Sequence, residues 1–263
     1  MSYEDILVER RGRVGIVTLN RPEKRNALGG KMGAEIRDAV DAFNQDPGIG
    51  AMVITGTDPA FCGGADVGDW KRDLDNDTRE SSDGLSRGTN WVDFFGASKP
   101  IVCAVNGPSI GAGLTITLSS DVRIASDRAR FSMRFVRIGL IPELASTKLL
   151  PLIVGFSRAL ELMLTGKTID AQEAERIGLV SRVVPHDRLM EEAVALAGDI
   201  AFNPTESLLA IKKLTWASLV ETDLHKVMTS EAQELMAAAL RPSFREAVNA
   251  FLEKRQPDFH ASA

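Results

Sequence analysis

The chain has 263 residues, enough for one large domain or a domain with an appendage; 44% are hydrophobic and 25% charged, as in ordinary soluble globular proteins. A formal net charge of −5 argues against a general nucleic-acid or anionic-membrane binder. Two cysteines do not make a disulfide framework, three scattered histidines do not favour a metal site, and no apolar run reaches the roughly 20 residues of a spanning helix. We therefore expect a cytoplasmic protein that binds neither membrane nor metal.

The first half of the chain alternates short β-rich runs with helical patterns. "ILVER" and "VGIVTL" predict two strands joined by the turn "RGR", and residues 31–46 carry apolar side chains at helical spacing. "AMVITG", "IVCAVNG" and "DVRIAS" predict three more strands, with "PSIGAGLTITLSS" as a helix between the last two. Repeated strand, turn and helix predict an α/β fold with crossover connections.

From about Glu143 onward the pattern becomes mostly helical. "ELASTKLLPLIV", "SRALELMLTG" and "DAQEAERIG" predict helices, "LVSRVV" predicts a strand, and long amphipathic stretches follow. We predict an α/β core over residues 1–200 and a helical layer over residues 201–263 that packs on this core or on a partner subunit. Residues 71–90 are polar with little core, and we interpret them as a mobile surface loop.

Two glycine-rich turns, "FCGGAD" (residues 61–66) and "NGPSIGAG" (residues 106–113), each follow a predicted buried strand. Such a turn directs unpaired backbone N–H groups at one point, and glycine allows a ligand to approach closely. If the two turns converge, they form a two-donor pocket for an oxyanion. The alternative is that each is only a tight connection between strand and helix. The glycines match neither a Rossmann nor a Walker pattern.

Seven segments together resemble the crotonase superfamily, which is the enoyl-CoA hydratase/isomerase family. They are, in order, "LNRPEKRNAL", "GTDPAFCGGADV", "KPIVCAVNGPSIGAGL", "SSDVRIAS", "RIGLIPE", "LTGKTIDAQEAERIGLVSRVV" and "FLEKRQPDF". The resemblance covers nearly the whole chain. It implies a crotonase-like spiral of β-β-α turns, C-terminal helices that build a homotrimer or a dimer of trimers, and an acyl-CoA thioester as the substrate, with no separate cofactor.

The resemblance also implies the positions of the oxyanion hole and of the CoA site. The backbone N–H groups of Ala65 and Ala112 would hold the thioester oxygen, because proton abstraction beside a thioester places negative charge there. Lys24 and Arg25 would meet the CoA phosphates, although both also fit a solvated loop. Asp66 suits a helix start better than a catalytic role. The remaining implied substrate-binding residues are Ala27, Gly63, Asp66, Val67, Gly111, Thr115 and Phe135.

Glu143 is the candidate acid/base. Hydratases of the family use two glutamates, and the resemblance places Thr115 and Phe135 at those two positions. Phenylalanine cannot exchange a proton, and a threonine hydroxyl is a poor general base. Glu143, directly after "GLIP", matches a position at which isomerases of the family carry an acid. The alternative is an ordinary helix start, with Pro142 at the first position and glutamate beside the helix dipole.

The leading hypothesis is therefore an acyl-CoA double-bond isomerase with Glu143 as its base. The alternatives are hydration or thioester hydrolysis on the same scaffold, with Glu143 orienting water, or a non-catalytic acyl-CoA-binding protein. A serine triad around Ser119, Ser120 and Asp121 is disfavoured because no histidine is near in sequence. Four of the aromatic residues could either line an acyl pocket or pack in the core, namely Trp70, Trp91, Phe94 and Phe95.

Overall fold

The computed structural model describes residues 3–68, Lys71, Asp75 and residues 90–260. Of the predicted surface loop at residues 71–90, only Lys71, Asp75 and Asn90 fall within this range, so that prediction lies outside the described residues. No helix in the described ranges is long and apolar enough to cross a membrane.

The strands follow one another along the chain in short runs. They are β1 (Ile6–Arg11), β2 (Val14–Leu19), β3 (Ala51–Gly56), β4 (Ile101–Val105), β5 (Pro108–Ile110), β6 (Val122–Ser126), β7 (Arg130–Ser132), β8 (Thr168–Asp170) and β9 (Arg182–Val184). A large sheet has the order β1-β2-β3-β4-β6-β9, and a small sheet has the order β5-β7-β8. In the large sheet β1 is antiparallel to β2, and all the other pairs are parallel.

The helices lie between the strands in the first part of the chain and dominate its end. They are α1 (Met32–Gln45), α2 (Trp91–Ala97), α3 (Ala112–Leu118), α4 (Ser146–Val154), α5 (Phe156–Thr165), α6 (Ala171–Arg176), α7 (Leu189–Ala201), α8 (Thr205–Ser218), α9 (Leu224–Ala239) and α10 (Pro242–Glu253). Helix α6 begins at an Asp170 cap whose side chain accepts the N–H of Glu173, and α5 ends at Gly166 with φ 58°. An aspartate before the first turn and a left-handed glycine after the last turn are typical residues at helix ends.

The large sheet is covered on both faces, which is why its central strands are apolar without alternation. In β3, Ala51 and Val53 face a cluster built on α7, whereas Met52 and Ile54 face the main core with α1. Helix α7 approaches closely because it presents small side chains; these are Ala193, Ala197 and Ala201. The close fit extends to Gly50, where a Cβ would lie 2.8 Å from the Ala201 Cβ.

The repeat that generates the fold contributes one strand to each sheet per turn. Strands β4 and β5 are followed by α3, and β6 and β7 are followed by the turn that leads to α4. Before them, β3 precedes Cys62, which forms an isolated parallel bridge with Ser109 of β5. The consecutive bridges at Cys62, β5 and β7 produce a spiral of strand, strand and helix, as the resemblance implied.

One predicted helix is partly wrong. The segment "PSIGAGLTITLSS" does not form a helix from its start, because residues 108–110 form β5, which pairs with residues 130–132. Gly111, at φ 54° and ψ −121°, then turns the chain, and the helix begins at Ala112. The error has a physical cause: "PSI" pairs with β7, a strand about twenty residues further along the chain, which local spacing cannot show.

The C-terminal helices α8 to α10 follow the predicted boundary at residues 200 and 201, where α7 ends. Helix α8 is anchored to the body through Lys212, whose ammonium donates to the Asp121 carboxylate at 2.8 Å and to the Phe95 carbonyl at 2.9 Å. Helices α9 and α10 expose large apolar side chains, namely Leu224, Met228, Leu235, Met236, Phe244, Val248, Phe251 and Leu252. The division into a core and a trimerisation region stays a prediction.

Candidate active site

The two glycine-rich turns lie side by side. Cys62 donates its backbone N–H to the Pro108 carbonyl and accepts the N–H of Ile110, each at 3.0 Å. A Cβ built on Gly64, whose φ is 104°, would lie 3.0 Å from the Ile110 carbonyl oxygen and 4.0 Å from the Ala112 nitrogen. Only glycine fits this approach without strain. The convergence predicted from the sequence is therefore present in the fold.

The backbone N–H groups of Ala65 and Ala112 have no acceptor among the described residues. Leu28 forms hydrogen bonds with the two neighbours of Ala65. Its N–H donates to the Gly64 carbonyl at 2.7 Å, and its carbonyl accepts the N–H of Asp66 at 2.8 Å. In a β-bridge this pattern turns the N–H of Ala65 away from Leu28. Ala112 is the first residue of α3, where an N–H has no partner within its helix. Each turn thus offers a backbone donor, Ala65 in the first and Ala112 in the second, that no described residue accepts.

Helix α3 is pressed against the first turn through Gly113. A Cβ at this position would lie 2.3 Å from the Cys62 carbonyl oxygen and 2.8 Å from the Cys62 sulfur, so no larger residue fits without movement. Burial raises the pKa of the Cys62 thiol to about 12, which keeps the thiol protonated near neutral pH. Cys62 is therefore a packing residue and an unsuitable nucleophile.

Glu143 reaches the second turn through Thr115. The Thr115 hydroxyl donates to Glu143 Oε1 at 2.6 Å, joining residues 28 positions apart. Glu143 is not at a helix start, because α4 begins only at Ser146, after Leu144 and Ala145 with φ of 54° each. The interpretation of Pro142 as a first helical position is therefore wrong. Two consecutive left-handed residues end any helical continuation from the proline.

A cavity of about 300 Å³ joins these groups. It is apolar apart from the backbone of the turns and two charged side chains, Arg134 and Glu143. Phe135 is buried against the second turn, where a Cβ on Gly111 would lie 3.9 Å from its ring. The lining residues are Gly63, Gly64, Ala65, Val67, Ile110, Gly111, Ala112, Arg134, Phe135, Ile138, Leu140, Ile141 and Glu143. Predicted positions from three separate segments therefore meet in one cavity.

The "RPEKRNAL" segment is tied to the first turn by an ion cluster around Asp66. The Asp66 carboxylate accepts Lys24 Nζ at 2.6 Å, Arg21 Nη2 at 3.1 Å and the Gly68 N–H at 3.1 Å. Burial raises the pKa of Asp66, but these hydrogen bonds and the positive charges outweigh burial and hold the pKa below its usual value. Asp66 directly precedes the helical residues Val67 and Gly68, as a helix-start residue should.

The predicted CoA-binding residues at this segment lie outside the cavity lining. Lys24 pairs with Asp66, and its side chain is 45% exposed. Arg25 is exposed at φ 53° and forms no ion pair within the described part of the chain. Ala27 is buried and directly precedes Leu28, which forms the bridge with Ala65. These residues border the first turn, where the Arg25 carbonyl accepts the N–H of Gly63 at 2.8 Å, and their role in binding CoA stays a prediction.

A Ser-His-Asp arrangement exists that the sequence did not indicate. His186 bonds to Ser126 Oγ through Nδ1 and to Asp58 Oδ2 through Nε2, at 3.0 Å each. Ser126 is fully buried and also accepts the Arg128 N–H, so no substrate can reach its oxygen. The arrangement therefore links the end of β6 to the segments that carry Asp58 and His186, and it does not form a nucleophile.

Two further candidates are structural. Around Ser119, Ser120 and Asp121 no triad forms, because Asp121 holds Lys212 and the N–H of Ile101. Trp91 and Phe95 are buried in the core in edge-to-face contact, with ring centroids 5.5 Å apart, so core packing explains them. Trp70 lies outside the described residues.

Together, the spiral α/β body and the paired turns define the crotonase class of acyl-CoA enzymes. The family model described as enoyl-CoA hydratase/isomerase matches residues 9–262, and the chain belongs to that family. A solved structure of enoyl-CoA hydratase from Bacillus anthracis superposes with a TM-score of 0.90 at 28% identity, covering 97% of this chain and 99% of that one. The crotonase-like fold predicted from the sequence is thereby confirmed.

Similar proteins carry hydratase names. A protein of Rhizobium meliloti (strain 1021) named "Probable enoyl-CoA hydratase" is 38% identical over 259 residues, which cover 98% of this chain and 99% of that protein. The crotonyl-CoA hydratase of Syntrophomonas wolfei is 33% identical over 260 residues, which cover 98% of this chain and 99% of that protein.

Proposed function

We propose that the chain isomerises β,γ-unsaturated acyl-CoA thioesters to their conjugated α,β-unsaturated forms. The observation that carries this proposal is a single carboxylate, Glu143, in the described lining of a cavity that also holds the Ala65 and Ala112 amides. The two positions that the resemblance assigns to the hydratase acids hold Thr115 and Phe135. One acid/base is sufficient for moving a proton between two carbons, whereas the family's water chemistry uses two.

The proposed reaction begins with the thioester oxygen between the N–H groups of Ala65 and Ala112. Glu143 takes a proton from the α-carbon, and the electron pair of that C–H bond forms a dienolate whose charge collects on the thioester oxygen. Fixed amide donors stabilise this charge more in the transition state than in the ground state. The protonated Glu143 then delivers the same proton to the γ-carbon, and the double bond lies between the α- and β-carbons.

The reaction needs no redox or metal cofactor, because only a proton and an electron pair move. The apolar side chains of the cavity suit a hydrocarbon acyl chain, and they exclude water from the dienolate. Gly63, Val67 and Gly111 line the same cavity and would contact the acyl and pantetheine parts. We assign Lys24, Arg25 and Ala27 to the CoA side, where the Lys24 ammonium would have to share its donors between Asp66 and a phosphate.

Hydration is the second candidate, and the hydratase names of the relatives are the observation that favours it. In this case Glu143 would accept a proton from a water that adds to the β-carbon of a conjugated thioester, and the proton would pass to the α-carbon. The oxyanion hole would serve the same purpose. Thioester hydrolysis would use the same water at the carbonyl carbon instead.

The products of the wild-type protein separate these reactions. With a 3-enoyl-CoA we expect formation of the conjugated 2-enoyl-CoA, and with a 2-enoyl-CoA we expect slower formation of 3-hydroxyacyl-CoA. Chromatography of both reactions, with a thiol assay for released CoA, gives the three rates side by side. A faster hydration than isomerisation would replace the leading proposal with the second candidate, and release of CoA would indicate hydrolysis.

We also propose that the region 201–263 builds a homotrimer or a dimer of trimers. The apolar side chains that α9 and α10 expose, such as Leu235 at 71% and Phe251 at 82%, support this assembly, because large exposed apolar patches mark contact surfaces. Sedimentation of the 28.5 kDa chain should give three or six times that mass. A monomer at micromolar concentration would contradict the assignment.

A further inference from the structure

The Thr115 hydroxyl lies between two acceptors, Glu143 and Ala112, which both line the cavity. It donates to Glu143 Oε1 at 2.6 Å, and the Ala112 carbonyl oxygen lies 3.2 Å away. Thr115 is fully buried one turn into α3, and every residue of that helix is buried as well. The hydroxyl thus has a fixed position relative to the same helix that begins with the proposed oxyanion donor, Ala112.

A threonine hydroxyl has one hydrogen, so it cannot serve both acceptors at once. The contact to a carboxylate is shorter and charge-assisted, and hydrogen bonds of that kind are about twice as strong as neutral ones. The hydrogen therefore belongs to Glu143 while that residue is ionised. When Glu143 carries a proton, the hydroxyl can turn its hydrogen to Ala112, which keeps the buried oxygen satisfied in both states.

We propose that Thr115 is a positioning residue that holds the ionised Glu143 carboxylate toward the oxyanion hole and follows its changes of protonation by turning its hydroxyl. This inference rests on the proposed function, because it takes Glu143 as the acid/base. A carboxylate offers about four lone-pair sites, and the Thr115 donor uses one of those at Oε1. Thr115 also occupies one of the two positions that the resemblance gives to a hydratase glutamate.

The Thr115 contact matters because the backbone at Glu143 forms a turn, in which the Glu143 carbonyl accepts the N–H of Ser146 at 3.1 Å. The residue lies outside helix and strand and is followed by two residues at positive φ. A side chain on such a turn has rotamer freedom, and misplacement of a reacting group by about 1 Å can lower a rate by about a hundredfold. Thr115 supplies a fixed contact from the buried helix that the turn itself does not supply.

The test compares Thr115→Val with Thr117→Val through the pH dependence of kcat/KM. Both threonines are fully buried in α3, and both hydroxyls reach the carbonyl three residues back, but only Thr115 touches Glu143. Valine keeps the shape and removes the donor. Without that donor the ionised carboxylate is less stable, so the acid limb of the Thr115→Val profile should move up by about one pH unit.

We further expect kcat above the acid limb to fall about tenfold in Thr115→Val. Thr115→Ser keeps the hydroxyl and should therefore have the wild-type profile. Thr117→Val should retain the wild-type limb, which controls for ionisation of the substrate and for loss of a buried hydroxyl. Arg134, the other charged side chain in the described cavity lining, is unchanged in all three variants. An unshifted limb in Thr115→Val would overturn the inference.

Two controls keep this result separate from the proposed function. If Thr115→Val does not give folded protein, Thr115→Ala is measured in its place, and the same shift is expected. Full activity of Glu143→Gln would refute the acid/base role itself. An inactive Glu143→Gln together with an unchanged Thr115→Val profile would retain the acid/base and reject only the positioning role.

Discussion

Glu143→Gln is expected to lower kcat for double-bond migration by about 10²–10⁴-fold, the usual contribution of a positioned acid/base. The variant keeps the shape of the side chain and an oxygen that accepts the Thr115 hydroxyl, so the contact at 2.6 Å can persist. A neutral amide cannot take the α-proton. KM should change little, because in the proposed mechanism the Ala65 and Ala112 amides, and not the carboxylate, hold the thioester. Initial rates with a 3-enoyl-CoA over a range of concentrations give both parameters.

Glu161→Gln is the matched control for this substitution. Glu161 is a surface carboxylate on α5 that pairs with Lys167, and it is not among the residues lining the cavity. The control should retain wild-type kcat and a melting temperature close to that of the wild type, because an exposed pair contributes at most about 1 kcal/mol. Turnover in Glu143→Gln equal to that of Glu161→Gln would remove Glu143 from the mechanism under either candidate reaction.

The fold could be predicted from the sequence where apolar runs and turn residues agree. The run "AMVITG" predicts β3 because a strand covered on both faces has no reason to alternate. The three-residue strands β5, β7 and β8 could not be predicted in this way. They are too short to show a period, and each exists because a segment elsewhere in the chain offers a partner. The helix expected over residues 108–120 was wrong at its start for this reason, because residues 108–110 form β5.

The candidate site was predictable in its backbone and less so in its side chains. The glycines of both turns indicated where a backbone could approach closely, and the resemblance to the crotonase superfamily implied Ala65 and Ala112 as the two donors. The contact of Thr115 with Glu143 could not be predicted, because it depends on the orientation of a turn 28 residues away. The ion pair of Lys24 with Asp66 could not be predicted either, because it joins positions 42 residues apart.

Isomerisation and hydration place different requirements on Glu143 and on the groups around it in the cavity. A proton shuttle requires the carboxylate to reach two carbons of one substrate, and the apolar lining protects the intermediate. Water addition requires in addition a place for the nucleophile and control of its second proton. Among the described lining residues, only Arg134 joins Glu143 as a charged group. Hydration would therefore need a further group to bind and deprotonate water, and the described lining offers Arg134 as the other charged side chain.

Gly64→Ala is expected to lower kcat by about 10²–10³-fold by moving one of the two amide donors. Gly64 adopts φ 104°, and an added Cβ would lie 3.0 Å from the Ile110 carbonyl and 4.0 Å from the Ala112 nitrogen. Since both near atoms belong to the backbone of the second turn, relief of the contact has to separate the turns. The N–H of Ala65, the next residue, would move with them.

Gly155→Ala distinguishes this displacement from backbone strain alone. Gly155 adopts φ 85° between α4 and α5, and a Cβ added there would meet nothing within 4 Å among the described residues. Both substitutions force alanine into a conformation that destabilises the fold by about 1–3 kcal/mol, so both should lower the melting temperature. Only Gly64→Ala should also lose turnover, with substrate still bound through CoA. Equal kcat in the two variants would show that the spacing of the turns does not set the rate, and the oxyanion hole would have to lie elsewhere.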